Sequence, residues 1–280
     1  MNLILTPTLV QAFTEHLHSM ERAPATVSAY RRAVNDLLVF AGDEPLNREL
    51  LIRYKHALVS RGYAPVSVNA MLAAVNALLA FLNRRDLTVK PLRIQKLLFC
   101  DDRRELTRDD YGRLVDTARK RSMRLSLVIQ TICVTGIRVS ELRFITAEAV
   151  RAERAEIANK GKRRIVFLPE KLRRMLERYL RKQKRNPGTV FTTRTGKPLN
   201  RSNIWRDMKA LCRTAKVDPA RVFPHNLRHL FARTHYAAHR DMIRLADVLG
   251  HASINTTRIY TAESGRVHAR QIETLGLLIT

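Results

Sequence analysis

Acidic side chains are scarce in this 280-residue chain: 25 Asp and Glu stand against 51 Lys and Arg, a formal charge of +26. An imbalance of that size says little about fold and much about partners, because a polyanion is bound largely through neutralised phosphates and released counterions. Nucleic acid becomes the leading partner and an anionic membrane surface its rival. Long apolar runs are missing as well. None approaches the ~18 residues of a membrane-spanning helix, and LSLVIQTICVTGI is broken by polar residues, so a membrane partner is not expected. The opening MNLILTPTLV has no basic region ahead of its short apolar stretch. That argues against a secretory signal and for a cytoplasmic location. Cys100, Cys133 and Cys212 are the only cysteines and include no C-x-x-C pair; they read as reduced thiols.

Chemical signatures are absent too. The sequence holds no G-x-x-x-x-G-K-[ST] phosphate loop, no H-E-x-x-H and no carboxylate set with an obvious metal-binding spacing. No cofactor and no metal are therefore expected. Phosphate chemistry on this chain would fall to arginine, lysine, histidine and a side-chain nucleophile.

The charge that is present is uneven. Residues 1–100 carry 12 basic and 7 acidic side chains, residues 101–280 carry 39 and 18. The length suits two domains better than one, and the first hundred residues read as helical throughout. Val27, Tyr30, Val34, Leu37, Leu38 and Ala41 recur three or four apart, with Thr26 placed to cap the helix start and Gly42 to end it. Arg31, Arg32 and Asn35 occupy the opposite face. After Pro65, which suits a first helical turn, Val68, Met71, Leu72, Val75, Leu78, Leu79 and Leu82 form a second stripe. Weaker stripes at 8–19 and 46–60 complete a four-helix domain over residues 1–88.

Paired arginines, Pro91 and CDDRRE break the pattern, so residues 89–104 read as a linker and 105–280 as a second domain. Thr107 with Asp110 three residues on resembles a capping box. RAEIANKGKRRIVFLP changes period and reads as a β-hairpin turning at Gly161; helical spacing then returns to the end. The fold class is mainly α, with a small antiparallel sheet in the second domain.

Four clusters carry candidate chemistry. TGIRVSEL sets Arg138 between a glycine and a helical run, NKGK puts Lys160 at the hairpin tip, HNLRH holds His225 and Arg228 one turn apart, and LGHASINTTRIYT holds His251 and Tyr260. Each by itself has a bland reading: a solvated arginine, a structural histidine, a packed tyrosine. Together, in this order and spacing, they resemble the R…K…H-x-x-R…H…Y constellation of the tyrosine recombinase and phage-integrase family. The resemblance spans nearly the whole chain.

It implies a SAM-like four-helix core-binding domain followed by a catalytic domain. The activity would be site-specific recombination through a covalent 3′-phosphotyrosine, without metal or ATP. By resemblance Tyr260 is the nucleophile, Arg138 and Arg228 hold the non-bridging oxygens, Lys160 protonates the leaving 5′ oxygen, and His225 and His251 donate to the phosphate or assist proton transfer. The implied partners are a double-stranded DNA core site and further copies of the chain, two per site and four in a synapse, with accessory proteins left open. The chain departs from the family at the hairpin, where NKGK is one residue shorter than the usual pattern and leaves Lys162 as the second choice, and at His239, where many members have glycine. The tail positions Ile272, Leu275, Leu278 and Ile279 suit either packing on their own domain or docking on a neighbour. The resemblance also implies a two-domain enzyme acting at simple inverted core sites, in integration or excision of a mobile element or in dimer resolution, as small mobile-element recombinases and Xer-type resolvases do. Arg201, Asn203 and Arg206, at a helix start near Ser202, are candidates for DNA contact. A type IB topoisomerase-like relaxing enzyme and a non-catalytic helical DNA-binding regulator remain alternatives.

Overall fold

In the computed structural model, residues 3–94, 104–159, 162–184, 187–251, 253–261 and 273–274 are described; for 159, 162 and 258–261 only the backbone is. The chain divides into two compact units, Met1–Lys96 and Leu97–Thr280.

The first unit is built on α1 (Pro7–Ser19), α2 (Pro24–Ala41), α3 (Arg48–Ser60) and α4 (Pro65–Phe81). Prolines open three of them, where the missing N–H removes no helical hydrogen bond. Thr26 is not the cap of α2. The helix starts at Pro24 and its N-cap Ala23 offers no side-chain acceptor, so the fixed φ of proline replaces the expected hydroxyl. Gly42 does end the helix, at φ 54°. Val34, Leu37, Leu58, Leu72, Leu78 and Leu79 are at most 1% exposed in one core, each leucine contributing roughly 1.5–3 kcal/mol relative to exposure. Asn69 and Asn76 on α4 hydrogen-bond the backbones of Leu92 and Val89, which ties residues 89–92 to this unit.

The second unit begins with α5 (Arg108–Arg121), where Thr107 and Asp110 form the reciprocal capping box, and α6 (Met123–Thr135). A 3₁₀ segment Val139–Phe144 and α7 (Ala147–Arg151) lead into β1 (Arg154–Asn159) and β2 (Lys162–Phe167). The strands pair antiparallel from Arg154 opposite Phe167 to Asn159 opposite Lys162. Lys160 and Gly161, between them, lie outside the described residues. Ala155, Ile157 and Val166 face the core, whereas Ile165 and Phe167 are exposed.

There follow α8 (Glu170–Gln183), α9 (Arg201–Lys209), α10 (Cys212–Ala215), α11 (Pro224–His239), α12 (Met242–Leu249) and α13 (Ile254–Thr261). At the α11–α12 turn the left-handed residue is Arg240, at φ 53°, and not His239, which ends α11 in helical conformation. Cys133 and Cys212 are buried and unbridged. Cys100 and the tail positions Ile272, Leu275, Leu278 and Ile279 lie outside the described residues. No described helix is long and apolar enough to cross a membrane.

Candidate active site

The site is assembled by the end of α6, the start of α11 and the turn after α12. Gly136 terminates α6 in the left-handed region at φ 64°, and a Cβ there would lie 2.4 Å from the Phe231 ring on α11. Glycine is required twice over, by backbone conformation and by the close approach of a helix. That approach brings Arg228, one turn before Phe231, against the Gly136 carbonyl, which accepts from its Nη1.

Arg228 is 1% exposed. Its Nη2 donates to the Leu249 carbonyl at 2.8 Å and to His251 Nε2 at 2.9 Å. Burying a guanidinium costs several kcal/mol. Hydrogen bonds to a charged group contribute about 1.5–3 kcal/mol each, so three such acceptors offset that cost. A guanidinium has no acceptor, so the Nε2 it meets is the lone-pair nitrogen. The proton of His251 then sits on Nδ1, which lies 2.8 Å from Thr257 Oγ1. Burial, then the charges of Arg228, Arg138 and Arg164, push the His251 pKa down to about 4. The imidazole is neutral at physiological pH.

Arg138 stands at the head of the 3₁₀ segment with its side chain 37% exposed. Glu141, 1% exposed, accepts its Nη1 at 3.0 Å and its backbone N–H at 2.8 Å, and also receives Arg164 Nη2 at 2.6 Å. The sequence reading missed both Glu141 and Arg164. Glu141 sits three residues after Arg138, a spacing that brings the two together on one turn; Arg164 carries no local signal.

His225 lies at the surface one turn before Arg228, its ring edge-on to His229 at 4.6 Å. Partial burial and the charges of Arg228, Arg138 and Arg201 lower its pKa. Arg201 opens α9, exposed, with Arg206 also exposed and Asn203 half-buried. Trp205, unnoticed in the sequence, is 49% exposed on the same helix, with Lys209 Nζ 5.4 Å from its ring centre. Arg31 and Arg32 are exposed on α2 of the first unit. Tyr260 belongs to α13, one turn beyond Thr257, which is fully buried; the tyrosine side chain is outside the description, as is Lys160. Arg138, His225, Arg228 and His251 thus form one cluster, in which the half-exposed Arg138 offers donors suited to a phosphate diester and the buried Arg228 adds positive charge beside it.

Known proteins share this architecture. The model described as "Phage integrase family" matches residues 104–266, and that described as "Phage integrase, N-terminal SAM-like domain" matches residues 10–86. The chain is 27% identical over 279 residues to tyrosine recombinase XerA of Pyrococcus furiosus, covering 96% of this chain and 94% of that protein. It is 26% identical over 275 residues to tyrosine recombinase XerD of Halalkalibacterium halodurans, covering 88% and 90%. Among solved structures, a lambda integrase(75-356) dimer bound to a COC′ core site superposes with a TM-score of 0.75 at 15% identity, over 93% of this chain and 96% of that one. XerH bound to its difH substrate, in a pre-cleavage complex, gives 0.70 at 17% identity, over 96% and 84%. At these identities the structures speak for the fold.

Proposed function

Since the chain belongs to the phage integrase family, whose tyrosine recombinase members it matches along most of their length, we propose that it is a site-specific DNA recombinase with Tyr260 as its nucleophile. The observation that carries the reading is the convergence of Arg138, Arg228 and His251, held by Glu141, Gly136 and Thr257, beside the helix that carries Tyr260.

Tyr260 Oη gives up its proton as it attacks the scissile phosphorus, the bond to the 5′ oxygen breaks, and the leaving oxygen takes a proton in turn, for which Lys160 is the donor. The 3′ phosphate stays on the tyrosine, so the energy of the broken diester is kept in the new one. A 5′ hydroxyl from a partner duplex then attacks the phosphotyrosine and restores the tyrosine. The half-exposed Arg138 is the fork for the non-bridging oxygens, aimed at charge that grows in the transition state. Arg228 supplies buried positive charge and orients His251.

The DNA is a duplex core site. Lambda integrase is bound to such a site as a dimer and to a Holliday junction as a tetramer, and this chain is proposed to assemble likewise. Exposed Arg31, Arg32, Arg201 and Arg206, with the half-buried Asn203, are proposed backbone or base contacts. The test begins with a duplex selected by binding. A nicked version of it should trap a covalent adduct, which a non-catalytic regulator would not form. Two duplexes should exchange strands, which a relaxing enzyme would not achieve.

A further inference from the structure

Arg164 occupies a position where the hairpin's own pattern requires an apolar side chain. Strand alternation sends Val166 inward, opposite Ala155, and turns Arg163, Ile165 and Phe167 to solvent. Arg164 shares the inward face, opposite the buried Ile157, and its side chain is 14% exposed. Burial of a guanidinium is unfavourable unless its donors are met, and burial does push the Arg164 pKa down against the pull of Glu141.

Its donors reach two separate parts of the site. Nη2 lies 2.6 Å from Glu141 Oε2, and that same oxygen accepts the backbone N–H of Arg138. Nη1 donates to the Val248 carbonyl at 3.0 Å, in the last turn of α12. A Cβ on residue 250 would lie 2.7 Å from Arg164 Cδ and 2.8 Å from Nη1, so Gly250, at φ 65°, is the residue over which the guanidinium can pass. The next residue is His251. One side chain therefore spans from the carboxylate that holds Arg138 to the turn that presents His251.

We propose that Arg164 is a positioning residue for DNA cleavage: clamping Glu141 to the Val248–Gly250 turn, it sets the spacing between Arg138 and His251 across which the phosphate must fit. The inference rests on the reading of Arg138 as the phosphate fork and of His251 as a catalytic group beside it. A purely structural Arg164 would change how much protein is folded, whereas a positioning Arg164 changes the rate per folded molecule.

The experiment compares wild type, Arg164→Met and Arg164→Lys, each also in a Glu141→Gln background, on a nicked core-site duplex. Gel shift gives affinity, circular dichroism the folded fraction, and single-turnover adduct formation at saturating DNA the rate. Arg164→Met should keep affinity within about threefold while its rate falls roughly 10- to 100-fold, the scale of small misplacements of reacting groups. Arg164→Lys, which keeps the charge but not the fork, should fall between. In the Glu141→Gln background the methionine change should add less than about threefold, because the clamp is already broken at its other end. An unchanged rate at saturating DNA, or an equal loss in both backgrounds, overturns the proposal while leaving recombination intact. If Arg164→Met does not fold, Arg164→Lys decides: a slowed rate at unchanged affinity supports the clamp and an unchanged rate overturns it. A wild-type protein that forms no adduct overturns the recombinase reading and this proposal with it.

Discussion

Nη2 of Arg228 lies 2.9 Å from Nε2 of His251, although 23 residues separate them. Because guanidinium only donates, this contact fixes the imidazole tautomer, and the Nδ1–H is left to meet Thr257 at 2.8 Å. A chain of three side chains thus links a buried charge to the helix that carries Tyr260.

Thr257→Val should break that chain without changing the surface that meets DNA. Adduct formation should slow roughly tenfold, the scale on which a lost orienting partner acts on a histidine, and gel-shift affinity should stay as in wild type. Thr257→Ser, which keeps the acceptor, should restore most of the rate.

The two arginines should separate. Arg228→Ala leaves the Gly136 and Leu249 carbonyls and His251 without their buried donor, so urea unfolding should show a loss of about 3 kcal/mol or more. Arg138→Ala removes a half-exposed side chain whose carboxylate partner still has Arg164. Its unfolding midpoint should move little, while its adduct rate falls by the equivalent of about 3–4 kcal/mol in the transition state.

What the sequence disclosed follows from what leaves a local mark. Apolar periodicity marked α2 and α4, and the Thr107–Asp110 spacing marked the start of α5. The four candidate words stood out because their residue types and order are distinctive, and the structure brings Arg138, His225, Arg228 and His251 from three of them together. Arg164 left no mark, since an arginine in a basic hairpin looks solvated until β2 is seen to turn it inward. Glu141 was hidden for a related reason: an acidic residue on a short helical run ordinarily reads as a surface charge. Thr257 left no mark either, since a threonine on a helix shows no local sign that its hydroxyl meets a histidine six residues earlier. The tie of residues 89–92 to the first unit depends on Asn69 and Asn76, polar side chains on a helix with no local sign of a partner 13 or 23 residues away.

Acid should destabilise the second unit earlier than its carboxylates alone would. His229 and His251 both have pKa values pushed down to about 4 from the usual 6.5, chiefly by burial. The unfolded chain therefore binds more protons than the folded one as pH falls below about 6.5, and stability is lost over that interval until both states are protonated below about 4. Thermal midpoints measured from pH 7.5 to 4 should fall across this window, and His229→Asn should flatten the fall.

Gly136→Ala should cost about 1–3 kcal/mol in urea unfolding, as overpacking at a rigid contact does. The added Cβ meets the Phe231 ring at 2.4 Å in a left-handed backbone. Adding Phe231→Leu should recover part of the loss by removing the clash, with the backbone strain remaining.

Tyr260 is the residue on which the proposed covalent step depends. Wild-type protein should be trapped on a nicked core-site duplex, digested with protease, and the DNA-linked peptide sequenced by mass spectrometry. The predicted result is a 3′-phosphotyrosyl bond at Tyr260, with Tyr260→Phe binding the same duplex and forming no adduct. A linkage at any other residue, or an adduct that survives in Tyr260→Phe, would contradict it.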